Sequence, residues 1–534
     1  MGQKQIEIFD STLRDGAQGE GISFSVQDKI NIVNALDELG VSYIEAWNPW
    51  SNPKDKEFFT EAKKLTLKNA KLVAFWSTKR KDNTCEQDTN LQSLLSAETD
   101  VVCIFGKTRD FQVTEIIHTT LEDNLQMIKE TIEYLVSKGK EVIFDAEHFF
   151  TGYEENPEYT FQCINAAIEG GASTVCLCET KGGEMPIQCF EYTKKVVQTF
   201  WERVKIWIHT HNDTWLAVAN SLLAVQGGAI QVQGVLLGFW ERTWNANLST
   251  IIANLQLKLG YSCIPEKNLR LLTPICKKIA EIANINIDSG MPYVGENAFA
   301  HKAGMHIDAV IKNPLSYEHI DPEIVGNERV FLVSEVAGKS MIVKQAQKFD
   351  PTITKESPIV AEIIKKIKGM EHEGYQFEGA DGSLELLIRK TMGKYEPFFK
   401  LHYYKTSGES PRFLEEKSAF AQVKVEVEDM QIMSAGEGTW PVNALDIALH
   451  KALEKFYPIV SKIHLIDYKV RVLEGEKTTS SKVRVLIKST DGENSWSTMG
   501  VSNDIIEASY LALVDAFEYK LIKNIEKRFS KIIG

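Results

Sequence analysis

The chain has 534 residues, 43% of them hydrophobic and 25% charged, which is apolar material for roughly two to four packed domains. Its formal net charge of −13 argues against a nucleic-acid or anionic-membrane partner, since either needs a basic face. No apolar run approaches the ~18–20 residues of a membrane span, and Met1–Phe9 lacks the apolar centre of a signal peptide. Eight cysteines, several in apolar runs, read as buried thiols of a reduced, cytoplasmic protein.

From residue 5 to about 275, short apolar runs alternate with longer amphipathic ones. Strands are predicted at Ile6–Asp10, Tyr43–Ala46, Leu72–Phe75, Val101–Phe105, Glu141–Asp145, Thr174–Leu177, Val204–His209 and Val232–Leu237. Helical stretches such as Val26–Leu39, Thr119–Lys138, Pro157–Glu169, Pro186–Thr199 and Leu216–Gln226 lie between them, two opening on a proline. Eight strands alternating with helices over 1–275 is the count of a closed (β/α)8 TIM barrel. An open doubly wound sheet is the alternative, but its usual glycine-rich phosphate turn is absent after the first strand. Residues 276–396 read as a mostly helical linker region, including a helical stretch over Ser357–Gly369. Residues 397–534 read as an α+β domain in which βββα is written twice. Its strands are predicted at Phe399–Tyr404, Ala419–Val427, Met430–Gly436, Ile463–Leu473, Lys482–Thr490 and Asn494–Ser502, with helices at Pro441–Phe456 and Ile505–Ile525. A module of this kind suits pairing with a copy of itself or binding a small effector.

A barrel gathers catalytic groups at the C-terminal ends of its strands. Polar residues collect there: Arg14 and Asp15 after the first strand, Glu45 on the second, Asp145 and Glu147 on the fifth. Glu179 and Thr180 follow the sixth, His209 and His211 close the seventh, and Glu241–Asn245 follow the eighth. Taken alone, His209-Thr-His211 reads as readily as one core histidine and one loop histidine. Six strand ends in agreement outweigh that reading. Strand periodicity turns both imidazoles to one side, Asp15 adds a hard oxygen and Asn245 a carbonyl oxygen, a set suited to a divalent ion acting as Lewis acid. Arg14 suits an oxyanion or carboxylate, and Glu147 suits acid/base or orienting work. Further on, His306 is a candidate for acid/base chemistry.

These residues lie in motifs that resemble the acyl-CoA-condensing metal enzymes, a family that includes 2-isopropylmalate, homocitrate and citramalate synthases. The motifs are Asp10-Ser-Thr-Leu-Arg-Asp-Gly16, His209-Thr-His-Asn-Asp213, Gln231-Val-Gln-Gly with Glu241-Arg…Asn245-Ala-Asn, and His301-Lys-Ala-Gly-Met-His306. Ile143-Phe-Asp-Ala-Glu-His-Phe-Phe150 and Gly374-Tyr-Gln-Phe-Glu378 look most like the citramalate synthase branch. The resemblance implies acetyl-CoA and pyruvate as substrates and (R)-citramalate as product, on a route to isoleucine. A divalent metal (Mg, Mn or Zn) would be held by Asp15, His209, His211 and Asn245. Arg14 would stabilise the alkoxide, Thr180 would touch the keto-acid carboxylate, and His306 with Tyr317 would serve the proton chemistry, Glu147 being the alternative. It also implies a homodimer with isoleucine as feedback effector. A 2-isopropylmalate synthase acting on 2-ketoisovalerate, and a catalytically dead effector-binding homologue, are the competing readings.

The chain departs from that family in one direction. At Trp47, Trp50, Trp76, Trp207, Trp215, Trp240, Trp244 and Trp440 the family pattern implies glycine. Indoles there are expected to unfold the protein or fill its site, since glycine tolerates backbone and space that tryptophan does not. A gene from a lineage that reads UGA as glycine, translated with UGA as tryptophan, accounts for one residue type recurring at glycine positions. Glu179 and Lys181 stand where the family usually has Asp and Asn, and Arg109 replaces an expected aromatic.

Overall fold

A computed structural model describes residues 4–331, 339–377, 379–408, 419–473, 481–492 and 494–533. The chain forms two units, one of Met1–Phe299 with Ile320–Arg329 and the other of Ala300–His319 with Val330–Gly534.

In the first unit, eight strands close into a parallel barrel in sequence order: β1 (Glu7–Leu13), β2 (Tyr43–Ala46), β3 (Lys71–Ser77), β4 (Val101–Lys107), β5 (Glu141–Glu147), β6 (Thr174–Glu179), β7 (Lys205–Thr210) and β8 (Gln231–Gly234). Closure runs from Glu7 opposite Gln231 to Asp10 opposite Gly234. The eighth strand stops three residues short of its predicted end at Leu237. Val235 leaves the ladder to donate its N–H to the Ala246 carbonyl at 3.0 Å, and Leu236–Gly238 coil into a 3-10 turn with Leu237 at φ 69°. Leu236 and Leu237 are buried, so the apolar run signalled burial rather than strand.

The helices begin where side chains can satisfy their free N–H groups. Ser25 and Asp28 form a reciprocal capping box at the start of Val26–Leu39, and Asn156 accepts from Tyr159 N–H ahead of Pro157–Gly170. Inside the barrel, strand alternation stacks Phe9, Tyr43, Val101, Ile143, Cys176 and Trp207 in an apolar cluster separate from the strand–helix core. That cluster floors the mouth, where Glu45, Asp145 and His209 are next inward on their strands after Tyr43, Ile143 and Trp207. All eight cysteines are buried free thiols. Among the described residues no helix is long and apolar enough to cross a membrane.

The second unit opens with two short parallel strands, β9 (Ala300–His301) and β10 (Val330–Phe331), and the helix Gly304–Lys312. The helix predicted over Ser357–Gly369 occupies Pro358–His372. Two antiparallel sheets follow: β11 (Lys400–Gly408), β12 (Ala419–Val427) and β13 (Met430–Gly438), then β14 (His464–Val472), β15 (Val483–Thr490) and β16 (Ser495–Ser502). Helices Pro441–Leu453 and Ile505–Ile533 follow the respective sheets, so the doubled βββα order is as predicted, with the last helix running longer.

Glu518 lies 1% exposed on that last helix and accepts the Phe398 N–H at 3.0 Å. Burial pushes its carboxyl from 4.5 up to about 7, against the downward pull of the Phe398 and Phe399 N–H groups. Between those two values the unfolded chain releases a proton that the folded chain still binds, so this group's contribution to stability is full below 4.5 and lost as pH rises through 7. Glu518→Gln is therefore expected to flatten the fall in stability between pH 5 and 8, read by denaturant unfolding of the full chain. An unchanged slope contradicts this assignment.

Candidate active site

Period-two alternation carries the site. On β7, Trp207, His209 and the following His211 all point into the barrel; Gln231 and Gln233 do so on β8, and Asp145 and Glu147 on β5. The two imidazoles meet Nε2 to Nε2 at 3.2 Å, and Asp15 Oδ2 lies 3.2 Å from His209 Nε2 and 3.6 Å from His211 Nε2. Asn245 reaches the same point because residues 245 and 211 form a bridge across the mouth. Its Nδ2 lies 2.7 Å from Asp15 Oδ2 and 3.3 Å from His209 Nε2, while its buried Oδ1 has no hydrogen-bond partner among the described residues. All four side chains are buried.

The outer nitrogens decide the tautomers. His211 Nδ1 sits 3.1 Å from the Thr180 carbonyl, which can only accept. His209 Nδ1 sits 2.9 Å from Gln233 Oε1, and the Gln233 amide donates onward to Asp145 Oδ1 at 3.3 Å, which fixes its orientation. Both Nδ1 atoms therefore carry the proton in the neutral rings, and two Nε2 lone pairs face each other beside a carboxylate. Such a set of acceptors fits a divalent cation. The unpartnered Asn245 Oδ1 fits it equally, since turning the amide over brings a carbonyl oxygen to the same centre.

Arg14 governs the charge. Its Nε donates to Glu45 Oε2 at 2.6 Å, its Nη1 pairs with Asp15, and its guanidinium lies 4.0 Å from the Phe75 ring centroid. Burial raises the Asp15 carboxyl, but Arg14 and the two imidazoles outweigh it and hold Asp15 well below the usual carboxylate range. Glu45 moves the other way, pushed up to about 6 by burial against the pull of Arg14. Thr180 Oγ1 accepts the His148 N–H at 2.8 Å, leaving its own hydroxyl proton to donate. Glu147 lines the same cavity, paired with Lys107. That cavity has a volume of about 740 Å³. His306 and Tyr317 belong to the second unit, where their ring centroids lie 4.2 Å apart.

Four of the unexpected tryptophans bear on this region. Trp240 stacks on His211 at 3.9 Å and donates its Nε1–H to Gln18 at 2.9 Å. Trp47 and Trp76 line the wall, and Trp207 is buried beneath His209 against Tyr43 and Phe9. The expectation that the indoles fill the site does not hold. Trp47, Trp76 and Trp240 lie in the cavity wall, and Trp207 occupies the floor below. Asp213, Gln233 and Arg242 lie in the quoted motifs, but the clamp of Arg242 on Asp213 (2.8 and 3.0 Å) and the support from Gln233 to His209 are contacts the motifs do not spell out. For Gln233 the signal was present, as the same-side partner of Gln231 in the eighth strand.

Gln233→Leu is expected to weaken metal binding about 10–100-fold, the usual effect of removing a partner that orients a metal-binding histidine. Titration of Mn2+ into the purified protein reads this, and undiminished affinity contradicts the tautomer assignment.

Residues 5–275 match the HMGL-like family, residues 293–374 the homocitrate synthase post-HMGL domain-like family, and residues 378–521 the LeuA allosteric (dimerisation) domain. The chain belongs to the HMGL-like family. This HMGL-like chain is 50% identical over 524 residues to a curated (R)-citramalate synthase of Aquifex aeolicus, covering 98% of this chain and 99% of that one. It is 46% identical to one of Synechocystis, covering 96% of both chains. It is 44% identical to one of Sulfolobus acidocaldarius, covering 98% and 99%.

Proposed function

We infer that this chain catalyses the reaction acetyl-CoA + pyruvate + water → (R)-citramalate + CoA. The observation that carries the inference is the 50% identity to an (R)-citramalate synthase across 98% of the chain, together with a buried Asp15/His209/His211 cluster opening on a cavity.

Asp15, His209, His211 and Asn245 are assigned as the residues that hold a divalent ion, Mg, Mn or Zn. When bound, the ion supplies Lewis acidity toward the carboxylate and ketone oxygens of the keto acid. Arg14 uses two of its N–H groups on Asp15 and Glu45 and keeps others to meet the oxygen that becomes an alkoxide. Thr180 offers its hydroxyl proton to the keto-acid carboxylate. A base takes a proton from the acetyl methyl, the freed electron pair forms the C–C bond to the ketone carbon, and the carbonyl pair moves onto oxygen, which then takes up a proton to become the hydroxyl. Water then cleaves the thioester, releasing CoA. His306, with the Tyr317 ring tilted against it, is assigned to the proton transfers, and Glu147 is the alternative.

The match to the LeuA allosteric (dimerisation) domain supports a homodimer, and isoleucine is the effector we assign to it. We also assign the protein to the cytoplasm, and keep 1–275, 276–396 and 397–534 as catalytic, linker and regulatory divisions. Release of CoA thiol that requires pyruvate, stops on chelation and returns with Mn2+ tests the reading. Thiol release indifferent to chelator contradicts it.

A further inference from the structure

We propose that the natural polypeptide carries glycine at positions 207, 215, 244 and 440, its gene being read with UGA as glycine. Four different local observations converge on this.

Trp244 has φ 87°. Every other described non-glycine residue with positive φ lies between 47° and 69°, whereas the described glycines with positive φ span 65° to 114°. A Cβ at φ 87° lies outside the left-handed well that L-residues can use. Trp215 lies in that well at φ 62°, itself an outlier for a bulky side chain, and is 80% exposed.

Trp207 offends in a different way. It is fully buried, and among the described residues its Nε1–H meets no acceptor, while Gln231, opposite it in the β7–β8 register, has no partner for its Nε2 or its Oε1. Leaving three polar atoms around one indole without a partner among the described residues is costly. Removing the indole leaves space in which water can serve the Gln231 amide.

Trp440 stands at the N-cap of Pro441–Leu453 with no side-chain cap bond. Glycine ranks above large apolar residues at that position, although Met185 holds the same place ahead of Pro186–Phe200, also without a side-chain cap bond. By contrast Trp496 has the surroundings of a selected indole, 3% exposed with Nε1–H donating to the Ala516 carbonyl at 3.2 Å.

Positive φ, idle exposure, stranded polar groups and an empty cap share no structural cause. A single reassigned codon joins them, because UGA and the tryptophan codon UGG differ by one base. The inference does not depend on the catalytic reading, and its test reads residue masses rather than activity.

The test is peptide mass spectrometry on protein purified from its native host, alongside the coding triplets. Glycine masses and UGA at 207, 215, 244 and 440, with tryptophan and UGG at 496, are the expected result. Tryptophan mass, or UGG, at either 215 or 244 overturns the proposal. The same spectra read positions 47, 50, 76 and 240.

Discussion

His209→Ala is expected to lower metal-dependent citramalate formation by about 10³-fold or more. The substitution removes one of two Nε2 donors and leaves Gln233 Oε1, now 2.9 Å from a ring nitrogen, facing a void. Losing several kcal/mol of charge stabilisation at the reacting oxygen corresponds to that factor, at about 1.4 kcal/mol per tenfold. A structural defect alone would lower activity as well, so the decisive readout is Mn2+ binding by a chain that still unfolds cooperatively. Loss of binding with retained folding is expected. Full activity in His209→Ala contradicts the assignment of the cluster.

The second large effect comes from the tryptophans. A chain expressed as written is expected to be far less stable than one carrying glycine at all eight positions, and at least about 100-fold less active. Overpacking costs typically ~1–3 kcal/mol per buried site, and a side chain forced into left-handed backbone costs roughly 1–2 more. Against a total stability of ~5–15 kcal/mol, a few such sites consume most of the margin. The open cavity places the damage in the frame around the site, chiefly at Trp207, Trp215 and Trp244, rather than in blockage of it. Expressing both chains and comparing thermal unfolding and CoA release checks this. Equal stability and activity would mean that the indoles are accommodated.

Much of the barrel was legible because its strands are short apolar runs whose inward residues alternate. The same alternation gave His209 and His211 a common face, and the structure brings them to Asp15 and Asn245. What failed was strand ends: the first runs three residues past Asp10, and the eighth stops early because Leu236 and Leu237 are apolar for burial in a turn rather than for pairing. Arg14 was legible as an anion-binding group. Its fork between Asp15 and Glu45 was not, because that depends on the β1–β2 register, which no local pattern encodes. His306 could be matched to a motif, and its ring contact with Tyr317 follows from the turn of chain between them.

The most direct measurement compares two acceptors on protein from the native host: CoA release from acetyl-CoA with pyruvate and with 2-ketoisovalerate, in the presence of Mn2+. Faster turnover of pyruvate, with (R)-citramalate as the product, is the expected result. Faster turnover of 2-ketoisovalerate, or release with neither acceptor, contradicts the account.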